Sequence, residues 1–460
     1  MDVNNCKSVY FLGIGGIGMS ALAKYFLNRG VQVSGYDLTP SILTETLQTL
    51  GAHIHFDESV KQIPENTDLV IYTPAVPKTH PAYAWFEQRR IPMYKRAQIL
   101  GHLTENKITF AIAGTHGKTT TTSMVAHLLS GKEDVTAFIG GIAKNFNDNF
   151  VDHSKSEIIV VEADEFDRSF LTLFPNFAVI TSMDADHLDI YGTPEELRKS
   201  FLQFANQTKK GGHIIVNQSI ERFFEAPKIV YGLDKSCDFY ATNITETHGK
   251  YAFDLYFKDQ KISRIRLSVV GKHNMENAVA AGAAGFLYGL DSETIRTQLE
   301  TFTGVARRFD YHIDREDLIY IDDYAHHPTE IKATMTALRT AYPDKTLTLM
   351  FQPHLYSRTR DFMDEFAESL ALTDELILLP IYPAREQAEQ FPGISSQVLL
   401  EKVKLNHKYL LEKSEVINHL KTHPPQVLVT LGAGDIDRLV IVIKNLFKVT
   451  RPKKSLQINT

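Results

Sequence analysis

FAIAGTHGKTT, residues 110–120, is the stretch that decides the fold, because an apolar run passes directly into a phosphate-binding loop. We call Gly114–Thr120 the P-loop. Its backbone amides and Lys118 are expected to hold the β- and γ-phosphates of ATP, and Thr119 is expected to offer its hydroxyl to Mg²⁺. The generic pattern has a glycine six positions before the lysine. Ile112 stands there instead, so the loop is a shortened variant.

A second loop, Gly13-Ile14-Gly15-Gly16-Ile17-Gly18, lies between a predicted strand at Ser8–Leu12 and a predicted helix. We call Gly13–Gly18 the glycine loop. The G-x-G-x-x-G pattern is typical of pyrophosphate binding at a helix N-terminus. Asp37 ends the next predicted strand, where an acidic residue commonly binds a ribose hydroxyl. The pattern does not distinguish NAD from a nucleotide-diphosphate sugar, and a tight turn without a ligand is the simpler alternative.

Acidic residues follow two further apolar runs of the sequence. Glu162 comes directly after Ile158–Val161, which favours it as a second anchor for Mg²⁺ beside the P-loop. The string Asp184–Asp189 follows another predicted strand and contains His187. Carboxylate oxygens suit Mg²⁺. An imidazole more often marks a softer metal or a hydrogen-bonded core histidine, so the chemistry alone leaves the role of His187 open.

Short apolar runs alternate with amphipathic stretches along all 460 residues. This alternation predicts an α/β fold with repeated βα units and mostly parallel sheets. The length suggests about three domains. We predict boundaries at 1–104, 105–305 and 306–452, with Gly101–Asn106 as a linker between the first two.

The composition excludes several classes of protein. The formal net charge of −6 indicates neither a nucleic-acid-binding nor a membrane-binding surface. The two cysteines form no metal-binding pattern and fit a reducing compartment better than a disulfide scaffold. No apolar run reaches membrane-spanning length and no leader is recognisable, so a cytoplasmic protein is expected.

Nine strings, in this order, make the chain resemble the ATP-dependent peptidoglycan (Mur-type) amide ligases. They are FLGIGGIGMSALA (11–23), AGTHGKTTTTSM (113–124), VEADEFDRSF (161–170), DADHLDIYG (184–192), GKHNMENA (271–278), VARRFD (305–310), DDYAHHPTEI (322–331), FQPHLYSRTR (351–360) and LGAGDI (431–436). Within this family, the H-H-P-T-E and Q-P-H-x-Y-S-R-T strings are similar to those of the members that add alanine.

The resemblance implies three domains: a Rossmann-like N-terminal domain that binds a UDP-sugar, a central P-loop-type ATPase domain, and a Rossmann-like C-terminal domain that binds an amino acid. It implies ligation of L-alanine to the carboxylate of UDP-N-acetylmuramate through an acyl phosphate, for peptidoglycan precursor synthesis. ATP and Mg²⁺ would be required, and the enzyme would be a monomer or a homodimer.

The resemblance also implies the site residues. The ATP set is Gly114, Thr115, His116, Gly117, Lys118, Thr119, Thr120, His273, Asn274, Asn277, Arg308 and Asp323. The UDP-sugar set is Gly13, Gly15, Gly16, Ile17, Gly18, Asp37, Thr73 and His116. The amino-acid set is Tyr324, His354 and Arg358, and the metal set is Thr119, Glu162 and His187. Catalytic roles are implied for Lys118, Arg308 and His354.

The chain departs from the family pattern at Leu355, where many members have arginine, so the alanine carboxylate is expected to depend more on Arg358. His326 and His327 are candidates for accepting the ammonium proton, although a structural histidine is an equal alternative for each. Three other functions compete: a ligase that adds a preformed peptide, an NAD-dependent oxidoreductase, and a regulator that binds nucleotide without catalysis. The oxidoreductase alternative does not explain the P-loop.

Overall fold

The computed structural model describes residues 3, 5–153, 155–185, 188–225, 227–247, 249–257, 260–384 and 386–448. The chain forms two compact units. One comprises residues 1–246 and 250–305, and the other comprises 247–249 and the chain from Ala306 onward. Across the described part of the chain, no helix combines the length and the apolar character that a membrane crossing requires.

The first sheet of the first unit has five parallel strands in the order β3-β2-β1-β4-β5. Its central strand is SVYFL, buried along its whole length, as expected for a parallel strand covered on both faces. The elements are β1 (Ser8–Leu12), α1 (Ile17–Leu27), β2 (Gln32–Tyr36), α2 (Ile42–Thr49), β3 (His53–His55), β4 (Leu69–Tyr72), α3 (Pro81–Gln88), β5 (Met93–Lys95) and α4 (Arg96–Thr104).

The predicted linker at Gly101–Asn106 is wrong in its first part, because α4 continues through Thr104. Leu100 and Leu103 are buried on this helix, so the segment packs into the core instead of joining two domains loosely. The linker was predicted to start at Gly101 because glycine is uncommon inside helices. A Cβ atom there would lie 2.5 Å from the carbonyl oxygen of Thr172, so a close approach of two backbones explains a glycine inside this helix.

The second sheet has ten strands in the order β15-β14-β13-β12-β11-β10-β6-β9-β7-β8. The pairs β7–β8 and β14–β15 are antiparallel. The elements are β6 (Ile108–Ala113), α5 (Lys118–Ser130), β7 (Val135–Ala143), β8 (Asp148–Val151), β9 (Ile158–Glu162), β10 (Phe177–Ile180), α6 (Leu188–Tyr191), α7 (Pro194–Asn206), β11 (His213–Asn217), β12 (Ile229–Gly232), β13 (Phe239–Thr247), β14 (Lys250–Phe257), β15 (Gln260–Val270), α8 (Lys272–Tyr288) and α9 (Ser292–Thr301).

The second unit has a six-stranded sheet in the order β16-β17-β21-β18-β19-β20, and only the β16–β17 pair in it is antiparallel among the described residues. The elements are β16 (Asp310–Asp314), β17 (Ile319–Asp323), α10 (Pro328–Ala341), β18 (Leu347–Phe351), α11 (Tyr356–Asp361), α12 (Met363–Leu370), β19 (Glu375–Leu378), α13 (Ser396–Lys402), β20 (Lys408–Leu410), α14 (Lys413–Thr422), β21 (Val427–Leu431) and α15 (Asp437–Lys448). Short 3₁₀ segments lie at Val60–Gln62, Phe166–Thr172, Glu221–Phe223 and Ala388–Gln390.

The predicted α/β class with mostly parallel sheets is confirmed. Because the carboxyl ends of parallel strands meet at one edge of a sheet, the loops that follow β6, β9 and β10 lie side by side. The strand register shows this directly, since Ile112 pairs with Glu162 and Ala113 pairs with Ile180.

We expect Phe110→Ala to lower the free energy of unfolding by about 3–5 kcal/mol, because it removes a fully buried ring from the central strand. This ring is stacked on Phe177, with centroids 4.2 Å apart. The matched control is Ile108→Ala on the same strand, where the side chain is 37% exposed and a loss of about 1 kcal/mol is expected. Urea denaturation of both variants measures this difference, and equal losses would contradict the assignment of Phe110 to the core.

Candidate active site

The P-loop depends on two glycines with left-handed backbone. Gly114 has φ of 137° and Gly117 has φ of 82°, a region that other residues rarely adopt. Space is also restricted, because a Cβ atom at Gly114 would lie 2.1 Å from Thr181 Oγ1, and one at Gly117 would lie 2.7 Å from Asn277 Oδ1. The loop is thus folded tightly against the end of β10 and against α8, and α5 begins at Lys118 with its free amides facing the loop.

Lys118 is a buried ammonium group held among carboxylates. Its Nζ donates to Glu165 Oε1 at 2.8 Å and to the carbonyl oxygen of Gly114 at 2.5 Å. Burial disfavours its charge, but the carboxylates of Glu165, Asp164 and Glu162 outweigh burial and raise the pKa of Lys118. The residue is therefore a fixed cation at the P-loop.

Glu162 and Thr119 form an oxygen-rich pair beside this lysine. Thr119 Oγ1 donates to Glu162 Oε1 at 3.1 Å, and the amide of Gly140 donates to Glu162 Oε2 at 2.9 Å. Gly140 leaves no room for a side chain, because a Cβ atom there would lie 2.3 Å from that oxygen. Hydroxyl and carboxylate oxygens are ligands that Mg²⁺ prefers, so these two residues fit this ion.

The third predicted metal ligand, His187, lies outside the described residues. Within the described ranges, no three His, Cys, Asp or Glu side chains cluster closely enough to hold a metal ion. Mg²⁺ commonly keeps several waters and binds through one or two protein oxygens and substrate phosphates, so this small donor set agrees with its chemistry.

The remaining predicted ATP residues lie around the P-loop or at the start of α8. Thr115 Oγ1 shares a hydrogen bond with Ser182 Oγ at 2.9 Å, and His116 Nε2 lies 3.3 Å from Asp184 Oδ2. Asn277 contacts the loop at Gly117, as described above. The other members are the buried Thr120 on α5, and His273 and the buried Asn274 in the first turn of α8.

The glycine loop brings its predicted partners together at the end of the first sheet. The Gly15 amide donates to Asp37 Oδ2 at 2.7 Å. A Cβ atom at Gly13 would lie 2.5 Å from Thr73 Cγ2. One oxygen of Asp37 therefore holds the loop itself, a role that the sequence pattern did not indicate. His116, predicted for both nucleotide sets, belongs to the P-loop.

Two residues that the sequence did not single out lie at the two loops. Glu165 is the buried partner of Lys118. Arg96, the first residue of α4, packs on the glycine loop, since a Cβ atom at Gly18 would lie 2.4 Å from Arg96 Nη1. The same guanidinium lies 3.5 Å from Asp164 Oδ2. The basic pair Lys95-Arg96 at the end of β5 was the available signal, because that position faces the loops.

In the second unit, Arg308 and Asp323 lie at the end of β17. Arg308 Nη1 is 3.9 Å from Glu330 Oε1, and its guanidinium carbon is 5.0 Å from the centre of the Tyr324 ring. The buried Asp323 carboxylate accepts hydrogen bonds from the amides of Phe309 and Ala325, each at 2.8 Å. Asp323 thus fixes the backbone directly after Arg308 and directly after Tyr324.

Aromatic rings connect the predicted amino-acid residues of this unit. The ring of His326 lies 5.3 Å from that of Tyr324 and 6.2 Å from that of His354, centroid to centroid. His354 in turn stacks on Tyr382 at 5.7 Å. Arg358 is buried on α11, the helix that follows His354.

Leu355 has left-handed backbone, with φ of 72°, and its side chain is buried. Arg307, Phe309 and Ala384 share this unusual backbone region in the same unit. Backbone strain of this kind concentrates at functional sites.

The two candidate proton acceptors differ in their surroundings. His327 Nδ1 accepts the Thr329 amide at 3.3 Å and caps α10, which favours a structural role. His326 Nδ1 lies 3.0 Å from the carbonyl oxygen of Tyr324 and 3.3 Å from Glu330 Oε2, so its ring is held in place beside His354.

Three family models match the chain in sequence order. The Mur ligase family catalytic domain matches residues 8–108, the Mur ligase middle domain matches 112–285, and the Mur ligase glutamate ligase domain matches 307–436. The chain belongs to the Mur ligase family. The three-domain α/β architecture predicted from the sequence is therefore confirmed, and the resemblance to the peptidoglycan amide ligases is confirmed with it.

Two relatives of this Mur ligase are similar along nearly their whole length. A UDP-N-acetylmuramate–L-alanine ligase of Flavobacterium psychrophilum is 47% identical over 450 residues, covering 96% of this chain and 99% of the relative. A UDP-N-acetylmuramate–L-alanine ligase of Parabacteroides distasonis is 45% identical over 457 residues, covering 97% and 98%.

Two solved structures share the fold of this Mur ligase. The UDP-N-acetylmuramate-alanine ligase of Thermotoga maritima superposes with a TM-score of 0.83 at 27% identity, covering 96% of this chain and 100% of that one. A murein peptide ligase of Psychrobacter arcticus superposes with a TM-score of 0.72 at 23% identity, covering 95% and 99%, which shows a shared fold alone.

We expect the stability that Asp323 contributes to this Mur ligase to depend on pH. Burial raises the pKa of Asp323 from 3.8 to about 6, so folding takes up a proton between these values. The contribution is fully present below about pH 4 and is lost as the pH rises through about 6. Asn cannot titrate, so Asp323→Asn lacks this dependence.

Urea denaturation of the native protein and of Asp323→Asn at pH 5 and pH 7 measures this pH dependence of the free energy of unfolding. The stability of the native protein relative to Asp323→Asn should be higher at pH 5. A difference that is constant with pH would show that the carboxyl is not held in a buried, charge-disfavouring environment.

Proposed function

We propose that this chain is a UDP-N-acetylmuramate–L-alanine ligase. It would join L-alanine to the sugar carboxylate and convert ATP to ADP and phosphate, giving UDP-N-acetylmuramoyl-L-alanine for peptidoglycan precursor synthesis. The observation that carries the choice of substrates is the 47% identity, over 96% of the chain, to a relative of that name. The two phosphate-binding loops and the buried Lys118 support the use of two nucleotides by one chain.

The first chemical step would be phosphoryl transfer to the sugar carboxylate. A carboxylate oxygen attacks the γ-phosphorus, the bond to the bridging oxygen breaks, and ADP leaves. Lys118 and the amides of the P-loop would neutralise the charge on the transferring group, which is mainly an electrostatic task. Thr119 and Glu162 would hold Mg²⁺, with His187 added by the family resemblance. When bound, this ion neutralises charge on the β- and γ-phosphates.

The second step would be attack by the alanine amine on the acyl phosphate. The neutral amine nitrogen bonds to the carbonyl carbon, and a tetrahedral intermediate forms. The nitrogen then gives up a second proton, and phosphate leaves with the former carboxylate oxygen and takes up that proton. Arg308 would stabilise charge on the phosphoryl group in both steps. The ammonium of alanine must first lose a proton. His326 is the better placed of the two candidates for accepting it, because His327 is used as a helix cap.

The glycine loop would hold the pyrophosphate of the UDP-sugar through its amides at the start of α1. One carboxylate oxygen of Asp37 accepts a hydrogen bond from the Gly15 amide and holds the loop in place. The ribose hydroxyl would therefore bind mainly to the other oxygen. Arg96 would add a positive charge beside Gly18, where the loop amides alone cannot neutralise two phosphate charges.

The alanine site would be built from Tyr324, His354 and Arg358. Arg358 is the cation expected to bind the amino-acid carboxylate, since Leu355 supplies no charge. A buried leucine and the stacked rings of His354 and Tyr382 give this region an apolar character that suits a methyl side chain.

The reaction would take place in the cytoplasm, where ATP and UDP-sugars are made and retained, without nucleic acid or membrane as a partner. The enzyme would act as a monomer or a homodimer, which sedimentation of the purified protein resolves. We also propose that the three domains meet at residues 104 and 305, as predicted from the sequence.

The decisive assay is phosphate release with UDP-N-acetylmuramate, ATP and Mg²⁺, measured with single amino acids and with a preformed tripeptide as the acceptor. The tripeptide represents the peptide-adding alternative. We expect turnover with L-alanine and little with the tripeptide. Preferred use of the tripeptide would establish the peptide-adding alternative. An absorbance change with a nicotinamide cofactor, without phosphate release, would establish the oxidoreductase alternative. Nucleotide binding without any turnover would establish the regulator alternative.

We expect Lys118→Ala to reduce ADP release by about three orders of magnitude, because phosphoryl transfer loses its fixed cation. The matched control is Lys132→Ala in the same domain. Lys132 lies at the surface, where it pairs with Asp291, and its loss should leave the rate unchanged. Coupled measurement of ADP tests both variants, and near-normal ADP release by Lys118→Ala would refute the role of this lysine.

A further inference from the structure

A buried polar contact joins α1 to the β7–β8 hairpin of the central domain. Asn149 on β8 is completely buried. Its Nδ2 donates to the carbonyl oxygen of Ile17 at 2.6 Å and to Ser20 Oγ at 3.1 Å. Its Oδ1 accepts from Lys24 Nζ at 3.0 Å. Every one of these partners lies on α1, so the whole amide of this side chain is directed at one helix.

The surroundings of this contact are apolar and aromatic. Tyr25 of α1 packs on Phe138 of β7 and Phe150 of β8, with ring centroids 5.9 Å and 6.4 Å away. Lys24 is 4% exposed and forms an ion pair with Asp148. Apolar contacts hold the helix on the hairpin, but they are non-directional and allow it to slide or rotate. Hydrogen bonds to a buried amide fix one position, because any displacement leaves polar groups unpaired.

The position of this contact links it to the two phosphate-binding loops. Ile17 belongs to the glycine loop and is the first residue of α1, so Asn149 holds the turn whose amides would bind the pyrophosphate. The same hairpin carries Gly140 on β7, whose amide donates to Glu162 beside Thr119. One hairpin thus contacts the glycine loop through Asn149 and the Mg²⁺-binding pair through Gly140.

We propose that Asn149, assisted by Lys24, is a positioning residue that sets the glycine loop at a fixed distance from the P-loop. The ligation needs the sugar carboxylate to reach the γ-phosphorus of ATP, and each nucleotide is held by its own loop. Neither Asn149 nor Lys24 belongs to the residue sets predicted to bind the two nucleotides, so we expect the contact to govern their mutual placement and not the binding of either. This inference rests on the proposed ligation. A displacement of about 1 Å in such an arrangement reduces rates by about 100-fold.

Asn149→Leu tests the proposal, because leucine has a similar size but cannot bind Ile17 or Lys24. We expect kcat to fall by about 10-fold to 100-fold. The dissociation constants for UDP-N-acetylmuramate and for a non-hydrolysable ATP analogue, measured separately by calorimetry, should stay within about 3-fold of the native values, since both loops keep their own amides.

A second variant and a matched control separate positioning from folding. Asn149→Asp keeps the contact with Lys24 but loses the donor to Ile17, and it should show the same loss of kcat with unchanged dissociation constants for both ligands. The control is Asn28→Ala at the other end of α1. Asn28 also donates an amide across this interface, to Asp152 at 3.1 Å, but at an exposed position far from the glycine loop. Its kcat should be unchanged.

The outcomes are distinguishable. A native enzyme that releases no phosphate with these substrates would refute the ligation itself. With an active native enzyme, unchanged kcat in both Asn149 variants would overturn the positioning role. If both variants bind both ligands much more weakly and also melt at a lower temperature, Asn149 is a purely structural residue. That result would also overturn the positioning role.

Discussion

The buried ammonium of Lys118 is the constraint on which the central site depends. A charge removed from water must be compensated nearby, and here three carboxylates at the end of β9 supply the compensation. They can do so because β6 and β9 are adjacent parallel strands in register, so the loop after one strand faces the acidic string after the other. Gly114 and Gly117 follow from the same requirement. The lysine reaches back to the loop that precedes it, and the chain must turn within a space that excludes side chains.

The residues that local sequence could identify are those whose signal lies within a few positions of the chain. β1 was predicted with its observed bounds, because an apolar run stops abruptly at a glycine loop. Glu162 was predicted as a Mg²⁺ ligand because four apolar residues end at an acid, and the structure places it beside the P-loop, where Thr119 donates a hydrogen bond to it. In each case a change of residue character marks the point where a buried element reaches the edge of its sheet.

The residues that sequence could not identify have partners far along the chain. Glu165 lies 47 positions from Lys118, and Asn149 lies 132 positions from Ile17. Nothing near Asn149 distinguishes it from an ordinary turn residue, since Asn145, Asn147 and Asn149 all lie in one polar stretch. Only the third is buried, because the hairpin brings it against α1. The same cause produced the error at Gly101, whose neighbour Thr172 is supplied by tertiary packing.

Binding and reaction therefore place different demands on the first unit. Each loop can be built from its own strand, turn and helix, so the proposed binding of each nucleotide would not require the other loop. A transfer between two bound substrates also requires a fixed distance between the loops, and no local sequence can encode that distance. A buried amide among aromatic rings is an expensive way to stabilise an interface, since apolar residues of similar volume often do as well or better. The advantage of a hydrogen-bonded amide is its directionality. The Asn149 side chain can form its hydrogen bonds in only one position of the glycine loop, and Asn149 lies on the same hairpin as Gly140, which holds Glu162.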